Sequence, residues 1–359
     1  MKKIYYIVVV FAILFLAGCG DGIDLPGVNV ETDLNKIPLP DNNVNLEQVE
    51  LKPSTEPMLH EGLHTEEDFQ RIRDKKAAGE EPWVSACQLL VESQFSQKTA
   101  DTYPTEWIKR GVSGDENYMN AARGATIAYQ QALRWKIEQD DEYAAKAVEN
   151  LNKWVQTCVG VTGNTNLSLA AGLYGYEFAI AGELLRDYGG WDRADFAAFQ
   201  NWLLKVFYPA NDDFLKRHHD TNALHYWANW CLCNIAAKMA IGIVTDRRDI
   251  YNEGIDHLQT GDTNGRLRRA IYHDYAPDYN FAQWQESGRD QGHTLMCVGL
   301  MGVICQLAWS QGDDFFAYDD NLFMRACEYA ACCNYTNETV PYTTYIWQKQ
   351  SQWGYPIPE

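Results

Sequence analysis

The stretch YMNAARGATIAYQQALRWKIEQ (118–139), followed after a single residue by DEYAAKAVENLNKWV (141–155), decides the fold. In both segments apolar residues recur at intervals of three and four, the period of a helix with one buried face. A gap this short between two such segments makes an antiparallel helix hairpin. The same period continues on both sides. Thr65-Glu66-Glu67-Asp68 reads as a capping box, with Thr65 as cap and Asp68 three residues on, so a helix runs through Lys76 and stops at Gly79. Further helices are expected over 82–94, 167–188, 193–207, 222–243, 250–258, 294–310 and 322–333. Strand-like alternation is almost absent, and loops of Gly, Asp and Asn separate the helices. Roughly ten helices on short loops give an all-α chain of antiparallel pairs, either a toroid or a solenoid. No motif recurs at a fixed period, which counts against a solenoid array. The expected class is therefore an (α/α) toroid, an incomplete barrel of helix pairs.

The ends of the chain read differently. MKKIYYIVVVFAILFLAGC opens with Lys2 and Lys3, continues with an apolar run and closes on Leu16-Ala17-Gly18-Cys19. The run is short for a membrane span, which needs about 20 apolar residues, and the basic start and small-residue ending suit an export signal. The LAGC ending resembles a bacterial lipobox. The expected organisation is a signal peptide over 1–18, a polar tether over 19–57 rich in Pro, Asn, Asp and Gly, and one helical domain over 58–359. Cys19 would carry the lipid, fixing an exported chain to a bacterial membrane by an anchor rather than a span. The abrupt finish at WGYPIPE, without a closing helix, raises the expectation of a truncated C-terminus.

Net charge is -19, and loss of Lys2 and Lys3 with the signal takes it to about -21. Such a body is a poor partner for nucleic acid, which wants a basic face. Any polyanion must bind in a local positive pocket. Of the ten cysteines, nine lie beyond Cys19, mostly in apolar helix-like stretches. Their odd number and the lack of a CxxC pair favour buried thiols over a disulfide framework. No zinc-like ligand spacing accompanies Cys231 and Cys233.

Three stretches concentrate chemistry. TNALHYWANW (221–230) opens an apolar helix, and its four-residue spacings would stack His225 over Asn229 and Tyr226 over Trp230. The flanking aromatics Tyr226, Trp227 and Trp230 would wall a sugar ring. QESGRDQGHT (285–294) sets Arg289 and His293 four apart, with Glu286 or Asp290 to orient the arginine; an Arg beside a His suits a carboxylate. RLRRAIYHDYAPDYN (266–280) offers Arg266, Tyr272, His273, Tyr275 and Tyr279, and a tyrosine among cations is expected to have its pKa lowered from about 10. The plainer readings are a core histidine with its amide, a structural ion-pair knot and an ordinary surface loop. Taken together, Asn, His, Arg and Tyr without a flanking pair of carboxylates argue against a glycoside hydrolase. They suit a lyase that neutralises a uronic-acid carboxylate and then removes the C5 proton. Neither metal nor cofactor is required.

A resemblance supports this. DENYMNAARGATIAYQQALRWKIEQDDEYAAKAVENLNKW (115–154), HYWANWCLCNIAAKMAIGIVTDRRDIYNEGIDH (225–257), QESGRDQGHTLMCVGLMGVICQLAWSQGDDFFAYDDNLF (285–323) and EYAACCNYTNETVPY (328–342) resemble the alginate lyase superfamily of helical-toroid polysaccharide lyases, and EGLHTEEDFQRI (61–72) resembles its opening segment. The resemblance implies β-elimination on alginate, mannuronate-rich, or a related polyuronate. It also implies an Asn–His neutralising pair, an Arg and a catalytic Tyr. In the family's best-known branch Asn directly precedes His before a Tyr-Trp. Here the run is Asn222-Ala223-Leu224-His225-Tyr226-Trp227, so His225 with Asn229 or Asn222 must take that place. An Arg upstream of a Tyr-His pair is matched by Arg266 and Tyr272-His273, one residue short in spacing, which makes Tyr272 the first choice as base and acid. The expected catalytic set is Tyr272, His225, Asn229 and Arg289, with His293, Asn222, Arg266, Trp227, Trp230 and Glu286 binding substrate. Two rivals remain at this point: a non-catalytic glycan-binding lipoprotein, and a hydrolase using Glu286 or Asp290 as acid.

Overall fold

The computed structural model describes residues 54–335 and 340–343. The signal, Cys19, most of the tether and the end of the chain lie outside the described residues. In chain order the helices are α1 (Glu66–Ala77), α2 (Trp83–Glu92), α3 (Tyr118–Glu138), α4 (Asp141–Thr157), α5 (Leu167–Leu184), α6 (Arg193–Val206), α7 (Tyr208–Arg217), α8 (Ala228–Val244), α9 (Arg248–Thr260), the single turn α10 (Leu267–Ala270), α11 (Gln291–Ser310) and α12 (Tyr318–Tyr335). Four short strands join them: β1 (Trp107–Arg110), β2 (Gly160–Gly163), β3 (Ile271–Asp274) and β4 (Ala282–Trp284). The chain divides into two compact units, one of Ser54–Asp212 with Ala236–Glu253, the other of Asp213–Ile235 with the described residues from Gly254 onward.

In the first unit the local signals act as the residue types require. Thr65 Oγ1 accepts the Asp68 amide at 3.2 Å while Asp68 Oδ2 accepts that of Thr65 at 3.0 Å, closing the capping box of α1. Gln139 turns left-handed (φ 55°) to end α3, and the Asp140 side chain accepts the Glu142 amide to start α4. The two helices then lie close together. A Cβ on Gly124 would fall 2.2 Å from Trp154 Nε1, and Asn150 Nδ2 donates to the Gly124 carbonyl at 2.7 Å. Helix α5 is buried almost throughout, with Phe178 at its centre. Phe178 meets Trp154, Trp202 and Phe207 at ring distances of 5.3, 5.2 and 6.0 Å. An aromatic cluster of this kind supplies most of the burial energy of such a core. Strands β1 and β2 pair in parallel beside it.

In the second unit β3 and β4 form an antiparallel hairpin. Trp284 Nε1 donates to the Ala326 carbonyl at 3.0 Å, tying β4 to α12. The nine cysteines beyond Cys19 are all free thiols, seven of them buried and Cys327 and Cys332 half-buried.

Three departures from the sequence reading bear on the site. Helix α7 and the four strands were not expected from periodicity. Helix α11 begins at Gln291, earlier than expected, because the Asp290 side chain accepts the His293 amide and caps it. The helix expected from Asn222 begins only at Ala228. Asn222 Oδ1 accepts the Leu224 amide at 2.9 Å in an Asx turn, and Asn264 Nδ2 takes the carbonyls of Leu224 and Tyr226 at 3.0 and 2.8 Å. With those carbonyls engaged elsewhere, residues 222–227 are held as a loop.

Candidate active site

All ten protein residues expected to act on substrate fall in the second unit, on three segments: the loop and first turn at 222–230, the short helix and bulged strand over 266–274, and the segment 285–293. The start of α8 fastens two of these together. Its first amides have no partners within the helix. Gln285 Oε1 accepts the Ala228 amide at 2.7 Å, and Glu286 Oε1 accepts that of Asn229 at 3.3 Å. The caps therefore come from a segment 57 residues further along the chain.

Glu286 is fully buried. Its second oxygen accepts from Arg289 Nη1 at 3.2 Å, and Cys297 Sγ approaches Oε1 at 3.9 Å. Burial pushes the Glu286 carboxyl up, and Arg289, His293 and the Asn229 amide pull it part of the way back. The guanidinium of Arg289 lies over the Trp227 ring, 5.1 Å from its centroid. Trp227 in turn packs against the buried cluster formed by Leu224 and Tyr272. One indole thus links the guanidinium to the small cluster that contains the phenol expected to carry the reaction.

Tyr272 sits at an irregularity in the ladder. Ile271 pairs with Trp284 and His273 with Gln283, which leaves Tyr272 as the extra residue of a β-bulge. Bulges re-aim a side chain and gather next to active sites. The other two tyrosines of that stretch, Tyr275 and Tyr279, stand elsewhere. Tyr275 donates its hydroxyl to Gln283 Oε1, and burial pushes it up to about 12, against the lowered value expected from the sequence. The loop between the strands carries Tyr279, 51% exposed.

Asp290 binds His293 twice: Oδ1 accepts its amide at 2.8 Å, and Oδ2 faces imidazole Nδ1 at 2.6 Å. Burial pushes the Asp290 carboxyl up, but His293 and then Arg289 more than offset it and hold it below the usual carboxylate range. With Nδ1 engaged by the carboxylate, Nε2 is the nitrogen left to meet a ligand.

The late start of α8 removes the helical premise for stacking His225 over Asn229. His225 stands in the loop, edge-on to Tyr226 at 4.8 Å. Asn229, in the first turn, is buried and directs Nδ2 to Met296 Sδ at 3.7 Å, while its Oδ1 accepts no hydrogen bond from a described residue. Tyr226 and Trp230 do meet, at 4.7 Å, and Phe214 joins them 5.1 Å from Tyr226. Asn222 serves its Asx turn, and Arg266 precedes the short helix α10, half-buried. Arg289 and His293 share no helical face, because Arg289 precedes α11 and the Asp290 cap separates them. No group of three His, Cys, Asp or Glu able to hold a metal occurs among the described residues.

The alginate lyase family profile matches residues 84–338, more than half of the chain. The chain belongs to the alginate lyase family. It is a polysaccharide lyase, and its fold agrees with solved members. An alginate lyase from Bacteroides ovatus is 15% identical with a TM-score of 0.57, over 83% of this chain and 87% of that one. A Tyr-to-Phe variant of alginate lyase A1-III from a Sphingomonas species, complexed with tetrasaccharide, is 12% identical with a TM-score of 0.54, over 77% and 78%. A His-to-Ala variant of the same lyase, likewise complexed with tetrasaccharide, is 13% identical with a TM-score of 0.54, over 79% and 82%. At these identities the likeness concerns the fold, and it agrees with the all-α toroid class expected from the helix hairpins. No curated protein sequence matches this alginate lyase family member.

Proposed function

We propose that this polysaccharide lyase cleaves a polyuronate, mannuronate-rich alginate first among candidates, by β-elimination without a cofactor. The observation that carries the proposal is the place of Trp227, with the Arg289 guanidinium over its ring and the Leu224–Tyr272 cluster packed against it. The C5 proton of a uronate is acidic enough to leave only when the adjacent carboxylate charge is neutralised. Arg289, with His293 beside it, supplies that charge, and His225 and Asn229 contribute further polar contacts. Tyr272 takes the C5 proton. The electron pair becomes the C4–C5 double bond, the C4–O4 bond breaks, and O4 leaves protonated, with Tyr272 as the returning acid. Trp227, Trp230, Asn222 and Arg266 line the sugar path, and Glu286 fixes the arginine. A hydrolase reading of the same site fits poorly, because Asp290 is held ionised as a helix cap and Glu286 is sealed from solvent.

Incubation with alginate, polyglucuronate and chondroitin, followed by absorbance of the new double bond, tests the reaction. Tyr272→Phe is expected to abolish turnover on the cleaved polymer while unfolding at the wild-type temperature. Silence of the wild type on all three polymers, or full activity of that variant, would refute the assignment. We also propose that the enzyme is exported and anchored through a lipid on Cys19. Cys19→Ala should then leave the membrane fraction on cell fractionation, and a variant that stays there refutes the anchor.

A further inference from the structure

The strand that carries Tyr272 is bracketed by an ion ladder outside the reacting groups. Arg268, in α10, reaches over the bulge with Nη1 3.6 Å from Asp274 Oδ2, so the pair spans the arc of chain that contains Tyr272. Both ends of the bracket are then held by α12. Arg268 is gripped by both carboxylate oxygens of Asp319, and Asp274 Oδ1 accepts from Arg325. The four side chains are mostly shielded, from 6% exposed for Arg325 to 25% for Asp274.

The backbone that delivers Asp319 is unusual. Asp319, Asp320 and Asn321 are left-handed in succession, with φ of 53°, 54° and 56°, at the start of α12. Asp and Asn tolerate this region better than other side-chain-bearing residues, but a run of three is disfavoured. Such a conformation persists where its surroundings over-determine it, and it gathers at functional sites. Here the surroundings are the two-oxygen grip on Arg268. Removing one partner of so shielded a pair would leave the other charge uncompensated.

We propose that Asp319 and Arg268 are positioning residues for Tyr272. Through Asp274 they fix the bulge, and so fix where the phenol oxygen stands relative to the C5 proton. The role rests on the reading of Tyr272 as base. A bulge has no ladder bond of its own to hold its extra residue, so the ionic bracket on either side takes over that task. Proton transfer is sensitive to such placement, and a shift of about 1 Å can cost about 100-fold in rate.

The test is steady-state kinetics of the full chain on the polymer it cleaves, together with thermal unfolding. Asp319→Asn is expected to lower kcat by about 10- to 100-fold with KM within about twofold. Asp319→Glu, which keeps the charge, is expected to recover part of that loss. Asp320→Gly, which suits a left-handed position and lies outside the ladder, is expected to keep wild-type kcat. If Asp319→Asn fails to fold, Arg268→Lys carries the same expectation, because one ammonium cannot reproduce the two-point grip. A lowered unfolding temperature with unchanged kcat would make the ladder a structural staple and overturn the proposal, as would equal loss in Asp319→Glu and Asp319→Asn. An inactive wild type or an active Tyr272→Phe overturns the base assignment and this proposal with it. An inactive Tyr272→Phe beside a fully active Asp319→Asn overturns this proposal alone.

Discussion

Asp290 has two separable jobs, and replacing it by Ala or by Asn takes them apart. Its Oδ1 caps α11 through the His293 amide, and its Oδ2 holds the His293 imidazole. Loss of an N-cap costs about 1 kcal/mol. The imidazole contact, at a carboxyl whose side chain is 46% exposed, is worth about 0.5–1 kcal/mol after solvent screening. Asp290→Ala loses both, about 1.5–2 kcal/mol in all, and should lower Tm by roughly 3–8 °C in a domain of this size. Asn caps as well as Asp, so Asp290→Asn should lose only the second part, about 1–4 °C. The pH dependence follows from the depressed carboxyl. It favours the folded state above its ordinary value of 3.8, and that contribution fades as pH falls through the lower folded value. The gap between wild type and Asp290→Asn should therefore close below about pH 4, whereas part of the Ala gap survives because a protonated carboxyl still accepts the amide. Thermal unfolding by circular dichroism at pH 7, 5, 4 and 3 reads this out. An Asn variant as unstable as Ala at pH 7, or a gap that widens on acidification, would refute the division of roles.

Arg289→Lys should lower kcat/KM by about 10- to 100-fold, since the ammonium loses the flat face on Trp227 and the paired donors for a carboxylate; polymer-cleavage kinetics check it. Gly124→Ala should destabilise the protein by about 1–3 kcal/mol through the clash with Trp154, measurable by urea unfolding, and a neutral result would mean that α3 and α4 part easily. Glu177 has a buried Oε2 that accepts no hydrogen bond from a described residue, and burial pushes its carboxyl up to about 8. A raised folded value means that stability is fully present below about 4.5 and declines as pH rises through about 8. Glu177→Gln should flatten that decline, and a stability profile unchanged by the substitution would contradict it.

The helices were legible in the sequence because their buried faces repeat every three or four residues, as in 118–139 and 141–155. The Thr65 capping box was legible because all its partners lie within four residues. What escaped the reading depends on distant partners. Asn222 to Trp227 carry a helical pattern, yet Asn264 takes the carbonyls that the helix would have used. The co-facing of Arg289 and His293 failed for a local reason: Asp290 is a better cap than a mid-helix residue. The grouping of Arg289, Trp227 and Tyr272 was foreseeable in residue type but not in geometry. Trp227 was read as a sugar wall, and nothing in its neighbours announces that it joins the other two. The bulge at Tyr272 arises from the register with residues 282–284, which no spacing within 266–274 reveals.

The opening amides of α8 are closed by Gln285 and Glu286, 57 residues downstream. In folding this has a temporal meaning. The amino end of α8 stays frayed and hydrated until the 285–286 segment comes to rest against it. The loop at 222–227 and the helix after it would then settle together, late, and only with the 285–293 turn.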